Sequence, residues 1–576
     1  MFKIKIIIYI YFIDNITNDK MSIKSEFDFK FYEFEKKHKN KPFLRQPFGD
    51  KWEEYTWGET GQMARKLASG LKTLGLKPNS HIGLISKNCR EWVIADLAIM
   101  MAGYISVPFF ATLTGKELEN LLEFGDVDAL FVGKIEHWNE IKSYIPKIPI
   151  IGFPTYKGHS NIDRGHSWYD FIDKFEPLTN PHVPKLKDTW TIIFTSGTTG
   201  NPKGVVLSYR ANEATELISL NTNPLKIDYD GNNHFFSYLP MNHIAERIVV
   251  EFTAFRFGGT ISFVETLDTF GANLASVQPT VFFAVPRIWT KFQMGILSKF
   301  SQKKLDFFLS IPIVNSLLKK ALTKKLGLSK ARAKVSGAAP MLTDQREWFR
   351  KLEINIVNGY GMTENCAISN QLGDNIWDRP GSVGIPQEGV SIKIDSKNDE
   401  IMMKGTFLME GYYKDPKATK LTLVDGWLYT GDQGYIDKDG FLYITGRVKD
   451  NFKTSKGKFI EPLTLEYYFG KYNEFEQICI VGLGNPQPIL LVFLSEIGLN
   501  MDKEILKKKF SEELININSK LEPYKKISTI VLVNEAWTTE NGLVTPTLKV
   551  KRPMIDKKYS VNYMKWHESP GSIIWE

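Results

Sequence analysis

From about residue 55 onward the apolar positions switch repeatedly between two periods. Met63, Leu67, Leu71 and Leu74 recur at helical spacing, and Gly75 follows as a stop. Residues 81–85 then read as a short buried strand, residues 91–101 as an apolar helix, and residues 104–108 and 129–132 as two further strands. This strand–helix–strand rhythm predicts an α/β fold, a parallel sheet with helices on its faces. The rhythm resumes with strands at residues 191–194, 236–239, 260–264 and 281–285. Between about 380 and 445 short alternating strands are divided by Gly and Asp turns, among them Asp425-Gly426, Gly431-Asp432 and Asp439-Gly440. Such pairs mark hairpins and predict a small β-rich unit. A charged stretch at 449–453 reads as a linker. Strands at 477–481 and 489–494 and a helix from about 502 to 520 complete a small α+β domain.

Length changes the picture little: 576 residues correspond to about three to five compact units at roughly 100–200 residues each. A chain of this size buries several cores without disulfide staples. Its three cysteines, Cys89, Cys366 and Cys479, have the spacing of neither a disulfide framework nor a zinc site, so reduced thiols in a cytoplasmic protein are expected. The net charge of +8 is spread along the chain, which does not call for nucleic acid; an anionic ligand or a membrane surface suits it equally. Two segments raise the membrane question. An apolar run at 6–13 follows Lys3 and Lys5 but is too short to span a bilayer and lacks a cleavage site. Residues 1–20 therefore read as an extension outside the fold, with a membrane-dipping anchor as the alternative. Residues 299–334 are rich in Lys, carry the single acid Asp306, and interleave apolar residues. They fit a basic amphipathic helix resting peripherally on an anionic membrane, or a solvated helix pair packed on the main domain. No later stretch has 18 uninterrupted apolar residues, so no spanning helix is expected.

Four motifs carry chemistry. The strand at 191–194 leads into Thr195-Ser196-Gly197-Thr198-Thr199-Gly200-Asn201-Pro202-Lys203-Gly204. Glycines let the backbone approach phosphate oxygens, the hydroxyls add donors, and Lys203 adds positive charge. The spacing is not that of a Walker A loop. The second motif is Asn358-Gly359-Tyr360-Gly361-Met362-Thr363-Glu364. It offers a ring that could stack on a base, a hydroxyl, and a carboxylate suited to Mg2+. In the third, Trp427-Leu428-Tyr429-Thr430-Gly431-Asp432 followed by Gly446-Arg447, the aspartate could accept both hydroxyls of a ribose and the arginine could donate to the same sugar. The fourth, Thr545-Pro546-Thr547-Leu548-Lys549-Val550-Lys551-Arg552, is by itself only a basic patch.

In this order and spacing the set resembles the adenylate-forming superfamily of acyl-CoA synthetases, luciferases and peptide-synthetase adenylation domains, over about residues 40–555. Further matches are Ser336-Gly337-Ala338-Ala339-Pro340, Pro380-Gly381-Ser382-Val383-Gly384 and Gly411-Tyr412-Tyr413-Lys414-Asp415-Pro416. Leu239-Pro240-Met241-Asn242-His243-Ile244-Ala245-Glu246-Arg247 and Val285-Pro286-Arg287 are similar to the long-chain fatty acyl-CoA synthetase branch. The resemblance implies an N-terminal AMP-binding domain (21–447) of two α/β subdomains and a small β-barrel, then a mobile C-terminal domain (448–576). It implies ATP phosphate contacts from Thr195, Ser196, Gly197, Thr198, Thr199, Gly200 and Lys203. It sets adenine near Gly337, Ala338, Ala339, Gly359, Tyr360 and Gly361, with Thr363 in the same nucleotide site. Mg2+ would lie on Glu364 and Thr198, and the ribose on Asp432 and Arg447. His243 matches a residue at the junction of the acyl and thiol pockets, and Lys449 the hinge. Lys549 matches the catalytic lysine, although Leu548 stands where most relatives have glycine and Lys551 stays a second candidate. The implied reaction turns a fatty acid, ATP and coenzyme A into acyl-CoA, AMP and pyrophosphate. An acyl-AMP ligase loading a carrier protein, or a non-catalytic fatty-acid-binding relative, are the alternatives. The oligomeric state stays open, a homodimer among the options.

Overall fold

The structure, a computed structural model, describes residues 26–195, 202–371, 379–539, 541–545 and 549–576. The expected α/β class stands. The largest sheet has eight strands, ordered across it as Gly411–Tyr412, Lys203–Ser208, Thr189–Thr195, Ile105–Phe109, His81–Ser86, Val127–Gly133, Ile150–Gly152 and His166–Ser167. Its six strands from Thr189–Thr195 to His166–Ser167 run parallel. The helix Arg90–Ala102 is buried along its whole length, which is why, apart from Arg90, Glu91 and Asp96, its residues are apolar on every side. The helix expected over 63–74 begins earlier, as Trp57–Lys72, because Thr56 and Glu59 form a capping box that starts it. Gly75 then takes a positive φ of 71°, which a side chain would resist.

A second layer holds the four-stranded sheet His234–Ser237, Thr260–Phe263, Pro42–Phe48, Lys51–Thr56 and a three-stranded parallel sheet, Val281–Ala284, Ala333–Ser336, Val357–Asn358. Two features depart from the expected layout. The Gly/Thr stretch, expected to follow a strand, also ends in one: Lys203 and Gly204 already belong to the strand Lys203–Ser208, which runs antiparallel to Thr189–Thr195 with Thr195 opposite Lys203. Of the phosphate-contact candidates, Thr195 and Lys203 therefore face each other across two antiparallel strands; Ser196, Gly197, Thr198, Thr199 and Gly200 lie outside the described residues. Secondly, Gly431-Asp432 is not a turn but lies inside the long strand Trp427–Ile436, with Gly431 at φ 75°.

The other two Gly-containing pairs do make hairpins. Asp425 and Gly426 both take positive φ (52° and 78°), as a two-residue turn that follows the strand twist requires. The unit expected as a small barrel is, among the described residues, a five-stranded antiparallel sheet. Beyond Arg447 the chain turns. The stretch read as a linker ends in a short strand, Phe452–Lys453, paired with Phe459–Ile460. The C-terminal part has its own four-stranded sheet, Phe475–Val481, Ile489–Leu494, Ile530–Leu532 and Ile573–Trp575, with apolar cores on both faces. Leu506, Phe510, Leu514 and Ile517 of the helix Lys503–Ser519 fill one of them at helical spacing. No described helix is long and apolar enough to cross a membrane. All three cysteines are free and buried.

Candidate active site

The parallel strands Ala333–Ser336 and Val357–Asn358 end side by side, with Ser336 opposite Asn358. Ligands in open α/β sheets gather at such carboxyl ends. Here Gly337 and Gly359 leave the sheet, and the Gly359 N–H donates to the Ser336 carbonyl at 2.6 Å. A Cβ on Gly337 would lie 2.9 Å from the Phe283 ring, and one on Gly361 would lie 2.6 Å from the Ala367 backbone. The sequence needs glycine at both places because two chain segments press together, and Ala338 accepts a positive φ of 65° between them. The resulting shelf, Gly337-Ala338-Ala339 facing Gly359-Tyr360-Gly361, lines a cleft of about 2340 Å3.

The wall opposite is built by the strands Trp427–Ile436 and Leu442–Arg447, whose register sets Asp432 beside Arg447. Arg447 Nε meets Asp432 Oδ1 at 2.9 Å, and the Tyr360 hydroxyl donates to Oδ2 at 2.7 Å. Burial and the adjacent Asp432 charge hold the Tyr360 phenol well above its usual range, so it stays protonated and keeps donating. Glu364 lies on the short 3-10 helix Thr363–Asn365 and accepts from the Tyr412 hydroxyl at 2.9 Å. Over the ring of Tyr412 stands the ammonium of Lys203, 4.3 Å from its centroid. Tyr412 thus links Lys203 to the Glu364 carboxylate. Its motif was noticed in the sequence but given no role, because only the strand pairing of Gly411–Tyr412 with Lys203–Ser208 brings it here.

The stretch 239–247 supplies a buried framework. Asn88 donates to Ser237 at 2.8 Å and to the Leu239 carbonyl at 2.7 Å. Arg247 is fully buried, pairs with Asp96 at 2.5 Å and Glu251 at 3.2 Å, donates to Thr191 at 2.8 Å and packs over Trp190. Removing one member of such a buried network strands the others' charge, at a cost of about 3–5 kcal/mol. Burial pushes the neighbouring Glu246 carboxyl up to about 8. His243 precedes this framework, where its Nδ1 accepts the Ala245 N–H at 3.3 Å. Burial, with Lys549 nearby, holds its imidazole down to about 4, so at neutral pH it is uncharged. With Nδ1 accepting, the ring proton resides on Nε2.

Lys549 reaches the same cleft from the C-terminal part. Its turn is closed by a bridge between Val544 and Val550 and by the Thr545 N–H donating to the Lys549 carbonyl at 2.8 Å; residues 546–548 lie outside the described residues. Arg552 anchors the turn's far side on Glu466 at 2.6 Å. The Lys549 side chain lines the cleft. Loss of bulk solvent, with repulsion from Arg447, brings its ammonium down to about 8, against the pull of Asp432 and Glu364. Lys551 lines the same cleft, and its backbone N–H is spent on the Leu543 carbonyl at 2.8 Å. Lys449 sits in the turn after Arg447, where the Val448 N–H donates to the Gly431 carbonyl at 2.9 Å. Among the described residues, polar contacts that tie the C-terminal part to the rest include Arg287 to Glu476 at 2.5 Å, the Thr343 N–H to the Tyr467 hydroxyl at 3.3 Å, and Asn451 donating to Gln433 at 2.7 Å.

Residues 31–413, two thirds of the chain, match the family described as AMP-binding enzyme. The chain belongs to that family. Among curated relatives of this AMP-binding enzyme, fatty acyl-CoA synthetase B of Dictyostelium discoideum is 29% identical, over 87% of this chain and 83% of the relative. Long chain acyl-CoA synthetase 4 of Arabidopsis thaliana is 28% identical, over 91% of this chain and 89% of its own. In fold, the AMP-binding enzyme is similar to the anthranilate CoA ligase AuaEII in complex with anthranoyl-AMP, with a TM-score of 0.76 at 21% identity, over 94% of this chain and 99% of that one. The A-PCP didomain of carboxylic acid reductase from Segniliparus rugosus gives the same TM-score of 0.76 at 20% identity, covering 93% and 81%.

Proposed function

We propose that this AMP-binding enzyme is an acid–thiol ligase that activates a long-chain fatty acid with ATP and passes it to coenzyme A. The observation that carries the reading is the convergence of Lys549 on the cleft that holds Glu364, Asp432 and Arg447. An apolar share of the same lining, including Leu225, Ile248, Val249, Phe257, Phe283 and Val335, suits an acyl chain. The names of the relatives support both the long chain and the coenzyme A acceptor.

In the first half-reaction a carboxylate oxygen of the acid attacks the α-phosphorus of ATP, and the bond to pyrophosphate breaks. Both reactants are anions, so neutralising charge is the main catalytic need. Lys549 bridges the carboxylate and the α-phosphate. Lys203, with Thr195 and the loop Ser196 to Gly200, holds the pyrophosphate. Asp432 and Arg447 take the ribose, and the shelf of Gly337, Ala338, Ala339, Gly359, Tyr360 and Gly361 takes the base. The neutral His243 offers its Nε2–H to the acyl oxygen. A single carboxylate suits Mg2+, which takes one or two and fills its shell with water and nucleotide oxygens. Glu364 and Thr198 would hold it, where it would neutralise phosphate charge.

In the second half-reaction the sulfur of coenzyme A attacks the acyl carbon, its proton passes to water, and the bond to AMP breaks. Lys549 is then no longer needed. Turning about Lys449, two residues past the end of 21–447 and within 448–576, withdraws it. The separate cores of the C-terminal part are compatible with such a turn.

Pyrophosphate release measured across acids of graded length, with and without coenzyme A, tests the reading. Release with fatty acids, and acyl-CoA on adding coenzyme A, is expected. No release with any acid makes the chain a non-catalytic binder. Release without acyl-CoA makes a carrier protein the acceptor.

A further inference from the structure

The Lys-rich segment forms two antiparallel helices, Gln302–Ser310 and Pro312–Lys325, joined by Ile311 alone. One side is anchored. Leu305 and Leu322 enter a buried core, Trp348 Nε1 donates to Gln302 at 2.9 Å, and Lys319 pairs with Glu353 at 3.1 Å. Asn315 donates across the joint to the Leu309 carbonyl at 2.8 Å, which stiffens the tip. Phe308 packs on Phe300, while Phe307 leans outward.

The other side is sorted along its length. Near the tip, Phe307, Ile313 and Leu317 are 62%, 77% and 64% exposed. Ile313 and Leu317 are four residues apart, so they share one helix face. At a rise of about 1.5 Å per residue, Leu317 lies roughly 8 Å from the start of its helix, Lys320 about 12 Å and Lys324 about 18 Å. On the first helix, Lys303 and Lys304 stand at the end away from the tip. Exposed apolar groups therefore crown a collar of ammonium groups. The collar is under-neutralised: residues 299–325 hold seven lysines against one acid, Asp306, which accepts from Gln302, and of the seven Lys319 pairs with Glu353. Lys299 and Lys325 even face each other, and that contact draws the Lys299 ammonium below its usual range.

We propose that this hairpin docks the protein, tip first, on an anionic lipid bilayer, with Phe307, Ile313 and Leu317 entering the interface and Lys303, Lys304, Lys320 and Lys324 meeting the headgroup phosphates. An apolar face sinks about 5–10 Å into the headgroup boundary, the depth at which the three apolar side chains end and the lysines begin. A protein partner fits less well, because lysine is depleted at protein interfaces whereas a lipid surface gathers it. The inference does not rest on the catalytic reading, since binding is read without turnover.

Co-sedimentation of the full chain with sucrose-loaded vesicles tests it. Binding to phosphatidylcholine containing phosphatidylglycerol is expected, with far weaker binding to phosphatidylcholine alone and loss at high salt. The triple variant Phe307→Ser, Ile313→Ser, Leu317→Ser should lower the partition constant roughly tenfold or more. Lys303→Glu with Lys320→Glu should remove the preference for anionic lipid. Wild-type-like binding of the triple variant overturns the proposal. So does binding that disappears only when the apolar run at 6–13 is made polar, and so does capture by an acidic protein without any affinity for vesicles. Should a variant misfold, Phe307→Cys carries a polarity-sensitive dye selectively, because the native cysteines are buried. A blue shift on anionic vesicles is expected, and an unchanged spectrum overturns the docking.

Discussion

Two lysines face the cleft from opposite sides, and they are held in different ways. Lys203 stands on a strand of the large sheet, its ammonium packed over Tyr412, which is itself paired into that sheet. Lys549 stands on a turn of the C-terminal part, which has its own sheet and cores and meets the rest through polar contacts that include Arg287 to Glu476. One charge is built into the scaffold and is present whenever the chain is folded. In the proposed mechanism the other is delivered and then withdrawn, and the separate cores of the C-terminal part are compatible with that. An enzyme that must first join an acid to a nucleotide and then expose the product to a thiol needs one lysine of each kind.

The largest effect expected from this contrast is on the delivered lysine. Lys549→Ala should slow adenylate formation by about 100-fold or more, yet leave thiolysis of a supplied acyl-adenylate nearly intact. Parallel assays of the two half-reactions check it. If both survive, Lys551 becomes the catalytic candidate and the contrast breaks. Next comes the hinge: Lys449→Pro should cut the thiol step about tenfold while adenylation falls less, and equal loss in both removes the hinge from the argument.

A smaller effect is set by pH. With its ammonium brought down to about 8, Lys549 loses its proton as pH rises through that value, so kcat/KM of adenylation should fall above about pH 8. Lys549→Arg should push that fall to higher pH, because guanidinium keeps its charge. A profile flat to pH 10 shows that the lysine is not the titrating group. The smallest effect belongs to the tether. Arg287 and Glu476 are both partly exposed, and surface pairs contribute about 0.2–1 kcal/mol, so Arg287→Ala should lower adenylation only about two- to fivefold. A larger loss would mean that this pair, rather than the cleft itself, holds Lys549 in place.

Much of the fold was legible in the apolar pattern. Four strands of the large sheet, His81–Ser86, Ile105–Phe109, Val127–Gly133 and Thr189–Thr195, and the helix Lys503–Ser519 fall within a few residues of where periodicity predicts them, because burial on one or both faces imposes that period. Pairing was less legible. Gly431-Asp432 reads as a hairpin turn, and only the tertiary pairing shows it inside a strand, where the register against Glu400–Lys404 slips and the register against Leu442–Arg447 sets Asp432 beside Arg447. Tyr412 had a recognised motif and no visible partner, since Glu364 is 48 residues away. Arg247 read as the end of a motif, with nothing to say that it would be fully buried between Asp96 and Glu251.

What the sequence determined by itself was the inventory: the α/β class, the chemistry of the Gly/Thr stretch and the carboxylate of Glu364, while the lysine candidates near the C-terminus were singled out only by the family resemblance. These are local properties, carried by residue type and short spacing. What only the tertiary structure decided was which of them meet. The return of Lys203–Ser208 alongside Thr189–Thr195, the register at Asp432, and the approach of Lys549 to Arg447 all join segments far apart in the chain. Such meetings are set by sheet pairing and by which apolar faces can be buried together, and a linear pattern of residues does not encode either one at a single position.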